Sequence, residues 1–154
     1  MADPHRAART VRATPGEVYA AMVDPELLLR WLPPTGMSGR LEHFDPRPGG
    51  SYRLVLTYDG SATGTGKSSS DSDVVEARFV ELVPGARVVH AVDFVSDDEA
   101  FAGTMTMVWE IVPVAEGTRV EISAHDVPRG ISAADHQTGM TASLDGLARL
   151  LEGP

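Results

Sequence analysis

The sequence predicts an α+β domain: a curved antiparallel sheet wrapped around a long C-terminal helix, with a cavity between the two. Three observations predict it. From Met37 to His125 the chain breaks into segments in which apolar residues recur at every second position, the signature of half-buried strands. Near the end, Met140, Leu144, Leu147 and Leu151 fall at the i, i+4, i+7, i+11 spacing of one helical face. Between a short first strand and the second, two capped helix starts follow each other directly. Strands joined through short turns give an antiparallel meander with one apolar face and one wet face. The apolar face must be covered, and the last segment is the element long enough to cover it.

Taken in order, His5 to Ala13 reads as a strand. Thr14-Pro15-Gly16-Glu17 then supplies a capping hydroxyl, proline at the first helical position and a glutamate three residues after the cap, so a helix runs from Pro15 to about Met22. Asp24-Pro25-Glu26 repeats the logic, and Leu27, Leu28, Trp31 and Leu32 give the second short helix an apolar stripe that Pro33-Pro34 ends. Strands are expected at Met37 to Asp45, Ser51 to Tyr58, Val74 to Val83, Arg87 to Val95, Gly103 to Val112 and Thr118 to His125. The turns between them carry Pro46 to Gly50, Pro84-Gly85 and Glu116-Gly117, while Ser96 to Glu99 forms an acidic loop. Asp59 to Asp73 is rich in Gly, Ser and Thr without apolar periodicity and reads as a mobile hairpin loop. Ser132 to Asp135 opens the terminal helix of about five turns. With no internal repeat and no interior linker, residues 1–154 read as a single domain.

Composition narrows the function classes. A 154-residue chain with 42% hydrophobic and 23% charged residues is ordinary for a globular protein. Absence of cysteine excludes disulfides, thiolate metal sites and thiol nucleophiles. A net charge of −9 argues against nucleic acid as partner. No apolar run approaches the ~20 residues that span a bilayer, and Arg6, Arg9 and Arg12 are followed by no apolar stretch of a secretory signal, so the cytoplasm is the expected location. Lys67 is the one lysine against twelve arginines, a skew that fits codon bias and carries no functional weight.

The order of elements and several strings together resemble a known group. They are Ala13-Thr14-Pro15-Gly16-Glu17-Val18-Tyr19, Asp24-Pro25-Glu26-Leu27 running to Trp31-Leu32-Pro33-Pro34, and Asp45-Pro46-Arg47-Pro48-Gly49-Gly50-Ser51-Tyr52. Glu81-Leu82-Val83-Pro84, Gly117-Thr118-Arg119-Val120, Val127-Pro128-Arg129-Gly130-Ile131 and Ser143-Leu144-Asp145-Gly146-Leu147-Ala148 complete the set. From Arg9 to Glu152 the chain resembles the START and birch-pollen-allergen (SRPBCC) superfamily. Within it the chain is similar to bacterial homologues of the C-terminal domain of the heat-shock-protein-ninety ATPase activator, often labelled polyketide-cyclase-like. The resemblance implies the helix-grip fold, with a sheet of about six to seven strands around the terminal helix and two short helices after the first strand. That group hosts lipid and polyketide binders, a few cyclases and hydrolase-like members, and a co-chaperone domain. Its motifs are caps and turns, so no catalytic residue carries over.

The sheet face turned to the last helix would present Tyr52, Leu54, Leu56, Met105, Met107, Trp109 and Ile111, with Met140 and Leu144 from the helix and Trp31 near one mouth. Methionines beside a tryptophan make an adaptable, polarizable wall for a small hydrophobic ligand, although the same residues would equally serve as plain core. Leu54, Met107 and Leu144 form the deep middle of that set. His90 lies in phase with Val88, Val92 and Phe94, where it would orient a ligand, act as a general base, or sit as a satisfied core histidine. His125-Asp126 and Asp135-His136 lack the i, i+4 pairing of a zinc helix, so no metal and no cofactor are expected. Gly64-Thr65-Gly66-Lys67-Ser68 is not a phosphate loop, because Ser61 stands where the pattern requires glycine and a strand, not a helix, follows.

The leading expectation is a carrier or sensor of a lipid, isoprenoid or polyketide-like molecule. An enzyme of the cyclase or hydrolase type would instead need a titratable side chain in the cavity, with His90, Tyr52 and Tyr58 the first candidates. A co-chaperone-like module is the third reading, prompted by the resemblance alone. A homodimer is compatible with edge strands and with apolar residues near the cavity mouth.

Overall fold

The computed structural model describes residues 4–33, 36–58, 72–94 and 98–152. Seven strands form one curved, open antiparallel sheet: β1 (His5–Val11), β2 (Met37–Phe44), β3 (Ser51–Tyr58), β4 (Ser72–Val83), β5 (Arg87–Phe94), β6 (Met105–Val114) and β7 (Gly117–His125). Helices α1 (Pro15–Val23) and α2 (Pro25–Trp31) follow β1, and the long helix α3 (Ala133–Glu152) closes the chain. The lateral order is β1-β7-β6-β5-β4-β3-β2, so β2 to β7 are the expected meander and β1 returns to pair with β7, His5 opposite Ala124 and Val11 opposite Thr118. The expected loop at 59–73 and the Gly64–Ser68 string lie outside the described residues, apart from Ser72 and Asp73, which begin β4.

The local chemistry that starts each helix is in place. Thr14 accepts from the Glu17 amide at 3.1 Å while the Glu17 carboxylate accepts from the Thr14 amide at 3.0 Å, a complete capping box. These bonds stabilise the charged carboxylate, and they hold Glu17 below its ordinary pKa. Asp24 ends α1 and caps α2 through the amides of Glu26 and Leu27. Ser132 caps α3 by accepting from the Asp135 amide at 3.0 Å. A 3-10 turn at Glu99–Phe101, capped by Asp98, replaces part of the expected acidic loop.

The two faces of the sheet divide by polarity. On the outer face, Arg53 joins Glu42 and Glu76 across β2, β3 and β4, and Arg87 joins Glu81 and Glu110 across β4, β5 and β6. Such cross-strand pairs favour one register. The inner face carries the core: Leu54, Phe79, Val88, Trp109, Ile111, Val120 and Ile122 are all buried.

Helix α3 does not lie evenly over this face. It runs against β1, tied there by Arg9 to Asp145 at 2.5 Å and by the Arg12 amide to the Glu152 carboxylate at 2.9 Å, and it meets α1 and α2. Where α2 ends on α3 the approach is close, because a Cβ on Gly146 would stand 2.7 Å from the Trp31 carbonyl oxygen. Gly146→Ala is therefore expected to destabilise the fold by about 1–3 kcal/mol despite alanine's better helix propensity, since backbone must move to admit the methyl. Thermal unfolding against wild type checks it, and an unchanged or raised Tm would show that the crossing yields freely.

Candidate ligand-binding groove

Anchored over β1, α3 leaves the middle of the sheet uncovered, and a groove of about 250 Å³ opens between α3 and β3 to β7. Period-two alternation aims Tyr52, Leu54 and Leu56 of β3 into it, and His90, Met105, Met107 and Trp109 arrive from the paired strands β5 and β6. Met140 enters from α3. The structure thus brings together eight of the ten residues expected from sequence.

Trp31 and Leu144 stand elsewhere. Trp31 donates its indole N–H to the Ala21 carbonyl at 2.9 Å and packs edge-on against Trp109, ring centroids 5.5 Å apart, so it backs the groove wall and does not line it. Leu144 is 1% exposed and sits in the core, one helical turn past Met140, where α3 has already closed on β1 and α2. Ile111, which also faces inward, is core as well. The sequence reading missed Leu32, Val75, Val92, Phe94, Ile122, His136, Gly139 and Ser143 of the lining. Val92 and Phe94 had a readable signal, since they share the phase of His90.

An aromatic cluster forms the floor. Tyr52 packs on Phe44 and Phe79, each with centroids 5.5 Å away, and both Tyr52 and Phe79 stand 6.3 Å from the His90 ring. Beneath them lies a void of about 20 Å³ bounded by Met22, Phe79, Val88, His90 and Trp109 among others. His90 Nε2 accepts the Trp109 indole N–H at 3.2 Å. The residue as a whole is half-buried because it reaches the groove, yet Nδ1 is sealed from solvent and has no protein partner among the described residues. Burial lowers the His90 pKa to about 4, and the same loss of water raises the Tyr52 hydroxyl well above its ordinary value.

At the mouth, His136 of α3 meets His5 of β1 with Nδ1 to Nδ1 at 2.9 Å, so one ring donates and the other accepts. His125 pairs with Ser123 at 3.2 Å, and Asp126 takes a left-handed φ of 58° that turns the chain toward α3. Among the described residues no cluster of His, Asp and Glu could hold a metal ion, and no helix is long and apolar enough to cross a membrane. A larger cleft of about 670 Å³ between α2, β2 and α3 mixes apolar residues (Leu29, Trp31, Pro33, Met37 and Leu150) with Arg30, Ser38, Arg149 and three glycines, so two guanidinium groups share its wall.

Comparison with known proteins agrees with this architecture. The family model for activator of Hsp90 ATPase homolog 1-like proteins matches residues 12–152. A solved protein from Chromobacterium violaceum is 30% identical, with all of both chains covered (100% and 100%) and a TM-score of 0.86. One from Rhodobacter sphaeroides shares 24% identity over 99% of this chain and 94% of its own, at a TM-score of 0.78. DynU16, encoded in the dynemicin biosynthetic locus, matches 99% of this chain and 48% of its own length at 21% identity and a TM-score of 0.71. The last two likenesses speak for the fold alone. No curated protein matches. Since the family match runs from the end of β1 through the whole meander to the last turn of α3, the chain belongs to the activator of Hsp90 ATPase homolog 1-like family, within the SRPBCC superfamily.

Proposed function

We propose that the protein binds a small hydrophobic molecule in the groove between α3 and the sheet, as a cytoplasmic carrier or sensor. The observation that carries this reading is the wall itself. It joins leucine, isoleucine, valine, methionine and aromatic side chains from five strands and α3, and among the described residues its lining contains no lysine, arginine, aspartate or glutamate. Apolar clefts with a few oriented polar groups are the usual form of small-molecule sites, and a volume of about 250 Å³ suits a ligand at the small end of that range. Met105 and Met107 let the wall adjust to ligand shape.

Chemistry in the same groove is the weaker reading. His90 has its free lone pair committed to Trp109, and burial drives Tyr52 away from ionisation, so neither is set to move protons near neutral pH. Tyr58, the third candidate, has its side chain outside the described residues.

Native mass spectrometry with thermal-shift screening of fatty acids, isoprenoids and aromatic polyketides tests the binding role. A true ligand at a hundred times its Kd is expected to add about 3 kcal/mol of stability. Met107→Trp, which fills the groove from a half-buried position, is expected to abolish that gain while keeping a cooperative unfolding transition. If no compound in the panel binds and wild type and Met107→Trp respond alike, the binding role is wrong.

A further inference from the structure

We infer that the open cleft between α2, β2 and α3 is a second binding site, which takes an organic anion: an apolar body carrying a phosphate or carboxylate group, held by Arg30 and Arg149. This cleft and the groove over the sheet share no lining residue, so the site stands or falls independently of the binding role proposed above.

Charge points to the anion. The chain has 22 acidic residues against 13 basic ones, so an arginine on its surface readily finds a carboxylate. Most do, Arg9 with Asp145 and Arg53 with Glu42 and Glu76 among them. Neither Arg30 nor Arg149 has such a partner among the described residues. They stand in the last turns of α2 and α3, and the crossing of these helices sets both on the wall of one cleft. No aspartate or glutamate joins them there among the described residues. Arg78 also lacks an ion pair, but the hollow it borders holds Glu76 and Asp93.

A helix dipole accounts for an arginine in the last turn of its own helix, where roughly half a negative charge resides. A full positive charge on each guanidinium outweighs that and leaves the wall positive in an acidic protein. Two like charges sharing a wall repel, and an anion between them turns the repulsion into attraction. Guanidinium forks match the paired oxygens of phosphate and carboxylate groups.

The rest of the wall decides what the anion is attached to. Leu29, Met37 and Leu150 flank the arginines, and about 670 Å³ is the size of a small-molecule site, far more than a bare ion fills. An inorganic ion would leave that apolar surface wet, whereas a hydrocarbon or aromatic body covers it.

Four probes take the site apart. 1-Naphthyl phosphate and 1-naphthoate carry body and charge, 1-naphthol the body alone, and inorganic phosphate the charge alone. In amide NMR titrations of wild-type protein at neutral pH, the charged naphthyl probes are expected to shift Gly36, Gly39 and Gly146, which line the cleft, and to leave Met105 and Met107 of the groove in place. The tighter of the two tells a phosphate site from a carboxylate site. Read at the same glycine signals, 1-naphthol and inorganic phosphate are each expected to bind about tenfold more weakly. Arg30 and Arg149 are exposed, so Arg30→Gln and Arg149→Gln are expected to keep the wild-type Tm. Each is expected to weaken the charged naphthyl probes about tenfold, the weight of one charge-assisted hydrogen bond, and to leave 1-naphthol unchanged. Shifts confined to the groove, variants that bind the charged probes as wild type does, inorganic phosphate binding as tightly as 1-naphthyl phosphate, or no binding of either charged probe would each overturn the inference. Every one of these outcomes leaves the groove's own role standing, since no groove residue is changed.

Discussion

Leu144→Ala is expected to lower the unfolding free energy by about 3 kcal/mol, while Met107→Ala costs about 1 kcal/mol or less. The two side chains are of similar size, but their surroundings differ. Leu144 is 1% exposed beside Leu147 and Ala148, where α3 has closed onto the rest of the core, so its deletion leaves a cavity that rigid neighbours cannot fill. Met107 is half-buried and borders space that is already open. For a chain of this length the Leu144 loss corresponds to a Tm lower by about 6–12 °C. Ligand-linked stabilisation should show the reverse order, weakened by Met107→Ala and retained in Leu144→Ala below its own Tm. Chemical denaturation of both variants with and without a bound hydrophobic probe checks it. A Leu144→Ala protein of wild-type stability that no longer binds would mean that this leucine belongs to the groove after all.

The second large effect is a pH dependence with a definite sign. Burial holds His90 near a pKa of about 4, whereas the unfolded chain's histidine titrates near its ordinary 6.5. Between those values the unfolded state binds the extra proton, so stability falls as the pH drops. The contribution is fully present above pH 6.5 and lost progressively on the way to pH 4, with a total of roughly 3 kcal/mol. Protonation also puts a hydrogen on Nε2, which then faces the Trp109 N–H donor to donor. His90→Gln keeps an acceptor for Trp109 and cannot titrate, and the other histidines are common to both proteins. Urea unfolding at pH 7, 5.5 and 4.5 should show wild type losing about 2 kcal/mol more than His90→Gln over that range. Parallel curves would mean that His90 is not held neutral by its surroundings.

The parts of this fold that were legible in the sequence are the local ones. Thr14 and Glu17 announce their helix because a capping box needs four consecutive residues and nothing distant. Tyr52, Leu54 and Leu56 announce their face because alternation is a property of the strand alone. Misplacing Leu144 had a different cause. It shares a helical stripe with Met140, but the stripe does not record where α3 diverges from the sheet, a matter decided by the Arg9–Asp145 tie and the crossing at Gly146. The Trp109–His90 bond was equally hidden, since it depends on the pairing that sets Val88 opposite Trp109 and His90 opposite Met107. The turn at Glu99–Phe101 escaped because three residues and one Asp98 cap give too short a pattern to stand out from an acidic loop.

The return of β1 to the far side of the meander governs how the chain can acquire its structure. His5 finds its partner at Ala124, and the Thr118 hydroxyl donates to the Ala13 carbonyl across 105 positions of sequence. β1 thus waits unpaired until β7 has been made, and α3 has no platform before β1 is seated. Such high contact order places folding in the millisecond-to-second range, far slower than helical domains of similar size. During that wait the incomplete meander exposes the β7 edge that β1 later covers, an open edge of the kind that invites pairing with other chains.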